Sequence, residues 1–441
     1  MYKIGFWETE ITPALGCGIP GYGELRFGTG VKDKLYLKAA VIEKNGNLFA
    51  MVALDNCTFP FSGTASHQSI IDRIQSKSGI DGKNVMVCST HTHTGGPTSG
   101  ASADGNDPKL DGNYVENVAN LAADAVCLAY NARVNANIKY ACGEVKGISF
   151  VRNYVMKDGS VKTNPGRLNP NIVRPYSEPD YSLPALFIED EGGKLCGMIY
   201  DFSCHQDCVD GTEYSGDYSS VISKIFKEKY GNDFVSIYFC GTAGNINHFN
   251  VNTAGDRPDH YVMMGEKIAN ELDAIKDSSV LVDGDIKVDK ISYSVKTRLP
   301  NDEMLAGFRK IVSEVKVPEG MKIAADSPKE FYDYMMAKRK LDLVDSMPKE
   351  FPLVVQVAKI GDVTIFGLQG EIFAQYAERI RQNVSGDKNM FFTLANGNWM
   401  YVPWPELYNT AIYEADYSSA MISGEDALAM IDKAIEMSKK L

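Results

Sequence analysis

The sequence predicts an α/β protein, with mixed β-sheets flanked by helices, in a single large domain over residues 1–441. Three observations predict it. Short apolar runs pair up around tight turns, as in Leu35–Ile42 and Leu48–Leu54 around Lys44-Asn45-Gly46-Asn47, where Asn-Gly is a strong hairpin signal. Helical stretches such as the Ala-rich 114–130 alternate with these strands. Several apolar strands also run directly into polar residues suited to chemistry. The clearest is Val85-Met86-Val87-Cys88-Ser89-Thr90-His91-Thr92-His93-Thr94-Gly95-Gly96-Pro97. On an extended strand end, residues i and i+2 project to the same side, so both imidazoles can face one point.

In chain order, residues 3–9 read as a strand. Gly16 to Gly23, rich in Gly and Pro, reads as a loop without regular structure. The first hairpin ends at Asp55-Asn56, and Asp55 reads either as a carboxylate behind a metal-binding histidine or as a strand-end cap. Residues 66–76 read as a helix, 84–90 as a strand, 114–130 as a helix and 137–145 as a strand. The polar stretch 152–170 reads as a long loop; with Arg152, Arg167 and Arg174 on it and its continuation, it is expected to form a lid or wall beside a substrate. Leu183–Ile188 and Leu195–Phe202 form a hairpin that runs into Ser203-Cys204-His205. A helix follows from Ser215-Gly216-Asp217 to about Tyr230. The strand Val235–Cys240 runs into Asn245-Ile246-Asn247-His248. Residues 260–275 read as a helix and 280–297 as one long strand. The charged stretch 298–350 reads as a helical insertion. A hairpin over 353–368 leads to Gly370-Glu371 and a helix, then comes a strand at 391–394 and a terminal helix over 421–439.

Bulk properties narrow the function. The content of 44% apolar and 23% charged residues is that of a globular protein, and the net charge of −12 argues against nucleic acid or an anionic membrane as partner. No apolar run of about 18 residues is present, so no membrane anchor is expected. The start of the sequence has no signal-peptide pattern. The nine cysteines are an odd number and sit largely in apolar runs, as small buried hydrophobes of a reducing compartment do; a cytoplasmic location is the expectation. Cys204-His205-Gln206-Asp207-Cys208 lacks a second Cys pair at zinc-finger spacing. The expected partner is a small-molecule substrate, with homo-oligomerisation left open.

The polar strand exits are His91/His93, His205, Asn245–His248, and Gly370-Glu371 with Tyr401. Histidines plus one carboxylate are a common ligand set of a catalytic zinc site, and such exits are expected to meet at one edge of a sheet. On residues alone, Glu371 also reads as a carboxylate facing a helix N-terminus, and Arg152 as a surface cation.

The sequence resembles the N-terminal catalytic domain of neutral (alkaline, non-lysosomal) ceramidases, up to about Tyr413. The resemblance rests on Gly5 with Glu10-Ile11-Thr12-Pro13, Gly21-Tyr22, Leu54-Asp55, Thr90-His91-Thr92-His93-Thr94-Gly95, Arg152-Asn153 and Ser215-Gly216-Asp217. It continues with Gly370-Glu371-Ile372-Phe373 and Asn396…Tyr401-Val402…Glu406…Tyr408…Tyr413-Glu414. It implies one Zn2+ held by His91, His205, Glu371 and Tyr401, with His93, Arg152 and Tyr413 lining the reaction centre, and metal-activated water attacking an N-acyl amide. The family's active-site serine position falls on Asn247, and His248 has no counterpart there. Asn247 is then expected to orient a carbonyl or a water, and His248 to act as an acid/base or specificity residue. The family's C-terminal immunoglobulin-like domain and secretion signal have no match here. The substrate expected is therefore a small polar amide or ester rather than ceramide. The alternatives are a metal-assisted lyase or isomerase on a polyol or sugar acid, and a non-catalytic binding protein that keeps the metal pocket.

Overall fold

The computed structural model describes residues 1–22, 26–59, 66–98, 108–318, 321, 327–398 and 400–441, with the side chains of 108–110 left aside. Its main sheet has nine strands. Across it run Val235–Cys240, Leu195–Phe202, Ser182–Asp190, Val134–Glu144, Tyr2–Glu10, Tyr36–Lys44, Asn47–Leu54 and Val85–Ser89, with Val280–Leu281 beside Val134–Glu144. The outermost pair at each edge is parallel and the inner pairs are antiparallel. A parallel pair needs a crossover, usually a helix. His67–Ser78 makes it at one edge and Asp217–Tyr230 at the other. His67–Ser78 begins where Ser66 Oγ accepts the Ser69 N–H, and ends at Gly79 in the left-handed conformation, the usual means of closing a helix at both ends.

The sheet opens in its middle. Tyr2–Glu10 pairs with Val134–Glu144 only over Tyr2–Ile4. Beyond that point the two arms pack on one another, and Lys38 Nζ donates to Ser236 O at 3.0 Å across them. A second sheet orders Ile286–Lys296, Glu350–Ile360, Val363–Leu368 and Asn389–Phe392. One apolar cluster joins both sheets, from Met51, Met86 and Cys88 through Ile199, Ile237 and Phe239 to Ile365 and Phe392. The Phe239 and Phe392 rings stack with centroids 3.9 Å apart. After Phe392 the chain ties the two edges of the main sheet together: Thr393 N donates to Cys240 O at 2.9 Å, and Asn396 N donates to Val87 O at 2.8 Å.

The strand exits therefore do not meet at one edge. They come from opposite edges of an opened sheet and are clamped together by the exit of the second sheet. Sequence periodicity reports which strands exist, not where a sheet opens, so this closure was not visible in it.

Three local expectations also change. Residues 152–170 hold two strands, Asn153–Met156 and Val161–Thr163, which with Ile172–Pro175 form a three-stranded sheet that has Asn153–Met156 in its middle, rather than a loop throughout. Its first turn is made by Asp158, whose Oδ1 accepts the Ser160 N–H at 3.0 Å, and by Gly159 at φ 82°. Strands this short leave little alternation to read. Gly18–Ile19, inside the supposed loop, pairs with Arg26–Phe27 beyond it. The long strand expected over 280–297 divides into Val280–Leu281 and Ile286–Lys296, because Gly284 adopts φ 127°.

Between Ile286–Lys296 and Glu350–Ile360, which pair with each other, stand the helices Asp302–Glu314 and Lys329–Ser346. No helix among the described residues is long and apolar enough to cross a membrane.

Candidate metal centre

His91 leaves the Val85–Ser89 strand at φ 71°, in the left-handed region that a non-glycine residue occupies at a cost of the order of 1 kcal/mol or more. That bend turns its ring inward. His205 follows the strand Leu195–Phe202, and Glu371 stands in register with Tyr401 in a short parallel pair. The ring centroids of His91 and His205 are 4.7 Å apart. Glu371 Oε2 lies 3.3 Å from His91 Nε2 and 3.2 Å from His205 Nε2. All three side chains are buried. Glu371 thus faces the two histidines rather than a helix N-terminus.

Backbone carbonyls settle the tautomers. His91 Nδ1 donates to Cys57 O at 2.8 Å. His205 Nδ1 donates to Ala243 O at 2.8 Å and Ile246 O at 2.9 Å. Each ring therefore turns its Nε2 toward Glu371. With neither Nε2 protonated, two lone pairs and a carboxylate oxygen would repel one another in this dry pocket, so a proton or a metal cation must stand among them. Glu371 Oε2 has no hydrogen-bond donor of its own. Burial is the largest influence on the His91 pKa and lowers it, but the Glu371 carboxylate and the Cys57 thiol together outweigh it and carry the value well above the ordinary range. Burial raises the Glu371 pKa, and His91 and His205 together pull it well below the usual carboxylate range. The trio is built for positive charge, and its donor set fits a divalent ion of the zinc type. Outward-held Nδ1–H groups of this kind are the usual way a protein orients metal-binding histidines.

His93 stands beside the trio, with Nε2 3.4 Å from His91 Nε2. Burial, then the charge of His91, hold its pKa well below the ordinary value, so it is neutral. Its Nδ1 has no partner. Gly21, at φ 125°, closes over the ring; a Cβ there would meet His93 Cγ at 2.9 Å. Tyr401 is buried, and its ring stacks beside His205 with centroids 6.4 Å apart. Tyr413 packs edge-on against Tyr401 at 5.5 Å and is 50% exposed, which puts it at the rim.

Arg152 is buried rather than on the surface. Its Nε donates to Glu414 Oε1 at 2.7 Å and its Nη2 to Gly244 O at 2.9 Å, while Nη1 lies 3.5 Å from His205 Nε2. Its guanidinium sits 5.0 Å from the centre of the Tyr401 ring. Of the other two arginines of that segment, Arg167 pairs with Asp256, and Arg174 is exposed.

Asn247 pairs with Phe150 in a two-residue ladder, and its amide is engaged by protein: Nδ2 donates to Asn164 Oδ1 at 3.4 Å and Oδ1 accepts the Phe249 N–H at 3.1 Å. His248 turns away from the trio, toward Asp207 and Asp256. Asp55 does not touch His91. Its Oδ2 accepts the Tyr36 N–H at 2.8 Å, the cap reading, and the Cys57 carbonyl stands behind His91 instead.

Several residues escaped the sequence reading. Glu414 anchors Arg152, and its other oxygen accepts from Asn153 Nδ2 at 3.2 Å. The signal for it was its place beside Tyr413. The carbonyls of Cys57, Ala243 and Ile246 carry no side-chain signature at all. A cavity of about 500 Å3 lies elsewhere, lined by His67, Lys290, Gln369 and Asn398, and includes none of the trio.

Fold and site together define an α/β protein with a buried two-histidine, one-carboxylate group that could hold a metal ion. No protein-family model matches the sequence, and no curated protein matches it. Solved structures do match. The neutral ceramidase from Pseudomonas aeruginosa superposes with a TM-score of 0.74 and 20% identity, over 100% of this chain and 75% of that one. A ceramidase complexed with C2 gives 0.73 and 19%, over 100% and 76%. The chain has the ceramidase-like fold along its whole length.

Proposed function

We propose that the protein is a zinc-dependent hydrolase that cleaves a C–N amide bond, or an ester, of a small polar N-acyl substrate. The observation that carries this reading is that His91 Nε2 and His205 Nε2 both lie 3.2–3.3 Å from Glu371 Oε2, with both Nδ1 atoms tied to carbonyls. The ceramidase-like fold adds support for a hydrolase of amide bonds. His91, His205 and Glu371 would hold the ion, with Tyr401 as fourth donor. When bound, such an ion supplies Lewis acidity and lowers the pKa of water toward about 7.

The other residues take roles suited to their surroundings. His93 is neutral and has free ring nitrogen capacity, so it receives a proton from the attacking water and returns it to the leaving amine. Arg152, clamped by Glu414, keeps a fixed positive charge beside Tyr401 and His205, which stabilises negative charge developing on the substrate oxygen. Tyr413, at the rim, donates to the substrate or its oxyanion. Asn247, paired with Phe150 and held by Asn164, offers no hydroxyl where the ceramidase serine would stand, and the preference for a small polar substrate over ceramide is proposed on that replacement.

The test is a panel of short N-acyl amides and esters, with and without chelator, in water enriched in heavy oxygen. Hydrolysis with solvent oxygen in the released acid, lost on chelation and restored by zinc, is the expected result. Turnover without solvent oxygen would favour a lyase or isomerase, and no turnover across the panel, with robust cleavage of ceramide, would overturn the substrate assignment.

A further inference from the structure

A second group of ligand-type side chains lies next to the centre just described, on residues that centre does not use. The segment Cys204–Cys208 serves both: His205 turns to Glu371, while Cys208 turns the other way, toward His248 and His260. The donor atoms of Cys208, His248 and His260 all lie within 4.8 Å of one another. His260 opens the helix His260–Lys276, and Met264, four residues on and therefore on the same face, has its Sδ 3.3 Å from Cys208 Sγ. The His248 and His260 rings are 5.0 Å apart.

What makes this more than a chance meeting is how poorly these groups are satisfied. Asp207 Oδ1, His248 Nδ1 and His260 Nε2 are all buried and without a hydrogen-bond partner. His248 lies 3.7 Å from Asp207 Oδ1 and 3.6 Å from Asp256 Oδ2, both beyond hydrogen-bonding distance. Buried polar atoms are almost always paired, and three orphans gathered in one place mean that a partner is missing. Arg167 offsets one of the nearby carboxylates by pairing with Asp256, whereas Asp207 Oδ1 has no hydrogen-bond donor.

We propose that Cys208, His248 and His260, with the Asp207 carboxylate beside His248, form a second divalent-metal site. The mixture of one sulfur, two imidazoles and a carboxylate selects an ion of borderline softness, zinc before magnesium or calcium. Metal–ligand bonds of about 2.0–2.3 Å bring tetrahedral donors within roughly 4 Å of one another, so rotation of the side chains by about an ångström closes the set. The cysteine loses its proton to solvent as the ion binds. An ion here ties the turn after Asn247 and the start of the His260–Lys276 helix to Asp207, two residues from His205. The site thereby stiffens one wall of the first centre. It stands independently of the activity proposed above, because its donors are separate.

The experiment strips the purified full chain with chelator, reloads it with zinc or cobalt alone, and reads bound metal by elemental analysis and cobalt by its absorption. Wild-type protein is compared with Glu371→Gln, Cys208→Ser, His260→Gln and Cys57→Ser, each checked for folding by circular dichroism. Glu371→Gln is expected to keep a bound equivalent, with a sulfur-to-cobalt charge-transfer band that disappears in Cys208→Ser and weakens in His260→Gln. The band persists in Cys57→Ser, which removes the thiol nearest His91. A single equivalent in the wild type that vanishes with Glu371→Gln overturns the proposal. So does a further equivalent whose cobalt spectrum is the same in Cys208→Ser and His260→Gln as in the wild type. If one of those two variants fails to fold, the other decides.

Discussion

Arg152 and Glu414, 262 residues apart, form a buried ion pair in which Nε donates to Oε1 at 2.7 Å. The Glu414 side chain is fully enclosed and that of Arg152 nearly so. Removing the carboxylate leaves the guanidinium buried and uncompensated, a loss of about 3–5 kcal/mol in comparable pairs. Glu414→Ala is expected to lose that much stability in chemical denaturation, and Glu414→Gln less, since the amide oxygen can still accept. A loss below about 1 kcal/mol in Glu414→Ala would show that water or another group replaces the pair.

His93 lies against the trio without belonging to it. If it moves protons rather than holding metal, His93→Ala retains the ion and loses turnover by about 100- to 10,000-fold, the usual contribution of a positioned acid/base. Metal content and kcat are measured on the same sample. Loss of metal together with turnover would make His93 a ligand.

Gly244 allows the loop after Cys240 to lie directly on the Glu371 backbone. A Cβ at this position would stand 2.2 Å from Glu371 O. Gly244→Ala must push the two segments apart, which costs about 1–3 kcal/mol, as overpacking does. It also shifts Glu371 away from the histidines. The expected outcome is lower stability together with weaker metal retention. Unchanged metal affinity in a destabilised variant would separate the loop from the centre.

His67, far from the trio, gives the chain an acid-sensitive point. Its ring packs edge-on against Phe59 at 4.4 Å, and burial, which outweighs every other influence, pulls its pKa down from 6.5 to about 3. Lys290 adds to the same effect. The folded protein holds the neutral ring, whereas the unfolded chain protonates it below pH 6.5. Stability from this group is complete above pH 6.5 and drains away as pH falls toward about 3, to a total of the order of a few kcal/mol. Relative to His67→Gln, the wild type should lose stability progressively across that window in urea titrations. Parallel pH profiles would contradict the burial account.

Much of the candidate centre was legible in the sequence because its side chains follow strongly apolar strands. Val85–Cys88 before His91, Leu195–Phe202 before His205 and Val235–Cys240 before the Asn245–His248 segment announce themselves by composition. The elements of the main sheet and its two crossover helices follow for the same reason. What was not legible depends on distance or on backbone. Glu414 carries its meaning only once Arg152 is beside it, and the Cys57 carbonyl that orients His91 belongs to no motif. The clamp formed by residues 393–396 between the edges at Cys240 and Val87 arises from where the sheet opens. His260 reads as an ordinary helix residue until Cys208 and His248 are seen next to it.

The central claim is that His91, His205 and Glu371 hold a catalytic divalent ion. The most direct measurement is zinc retained per chain, together with amide-hydrolysis rate, in a Cys208→Ser background where only this centre can load. The account predicts about one tightly held equivalent and measurable turnover in that background. It predicts neither once Glu371→Gln or His205→Ala is added to a chain that still folds. Turnover that survives complete stripping of the metal, or equal zinc retention after Glu371→Gln, would contradict it.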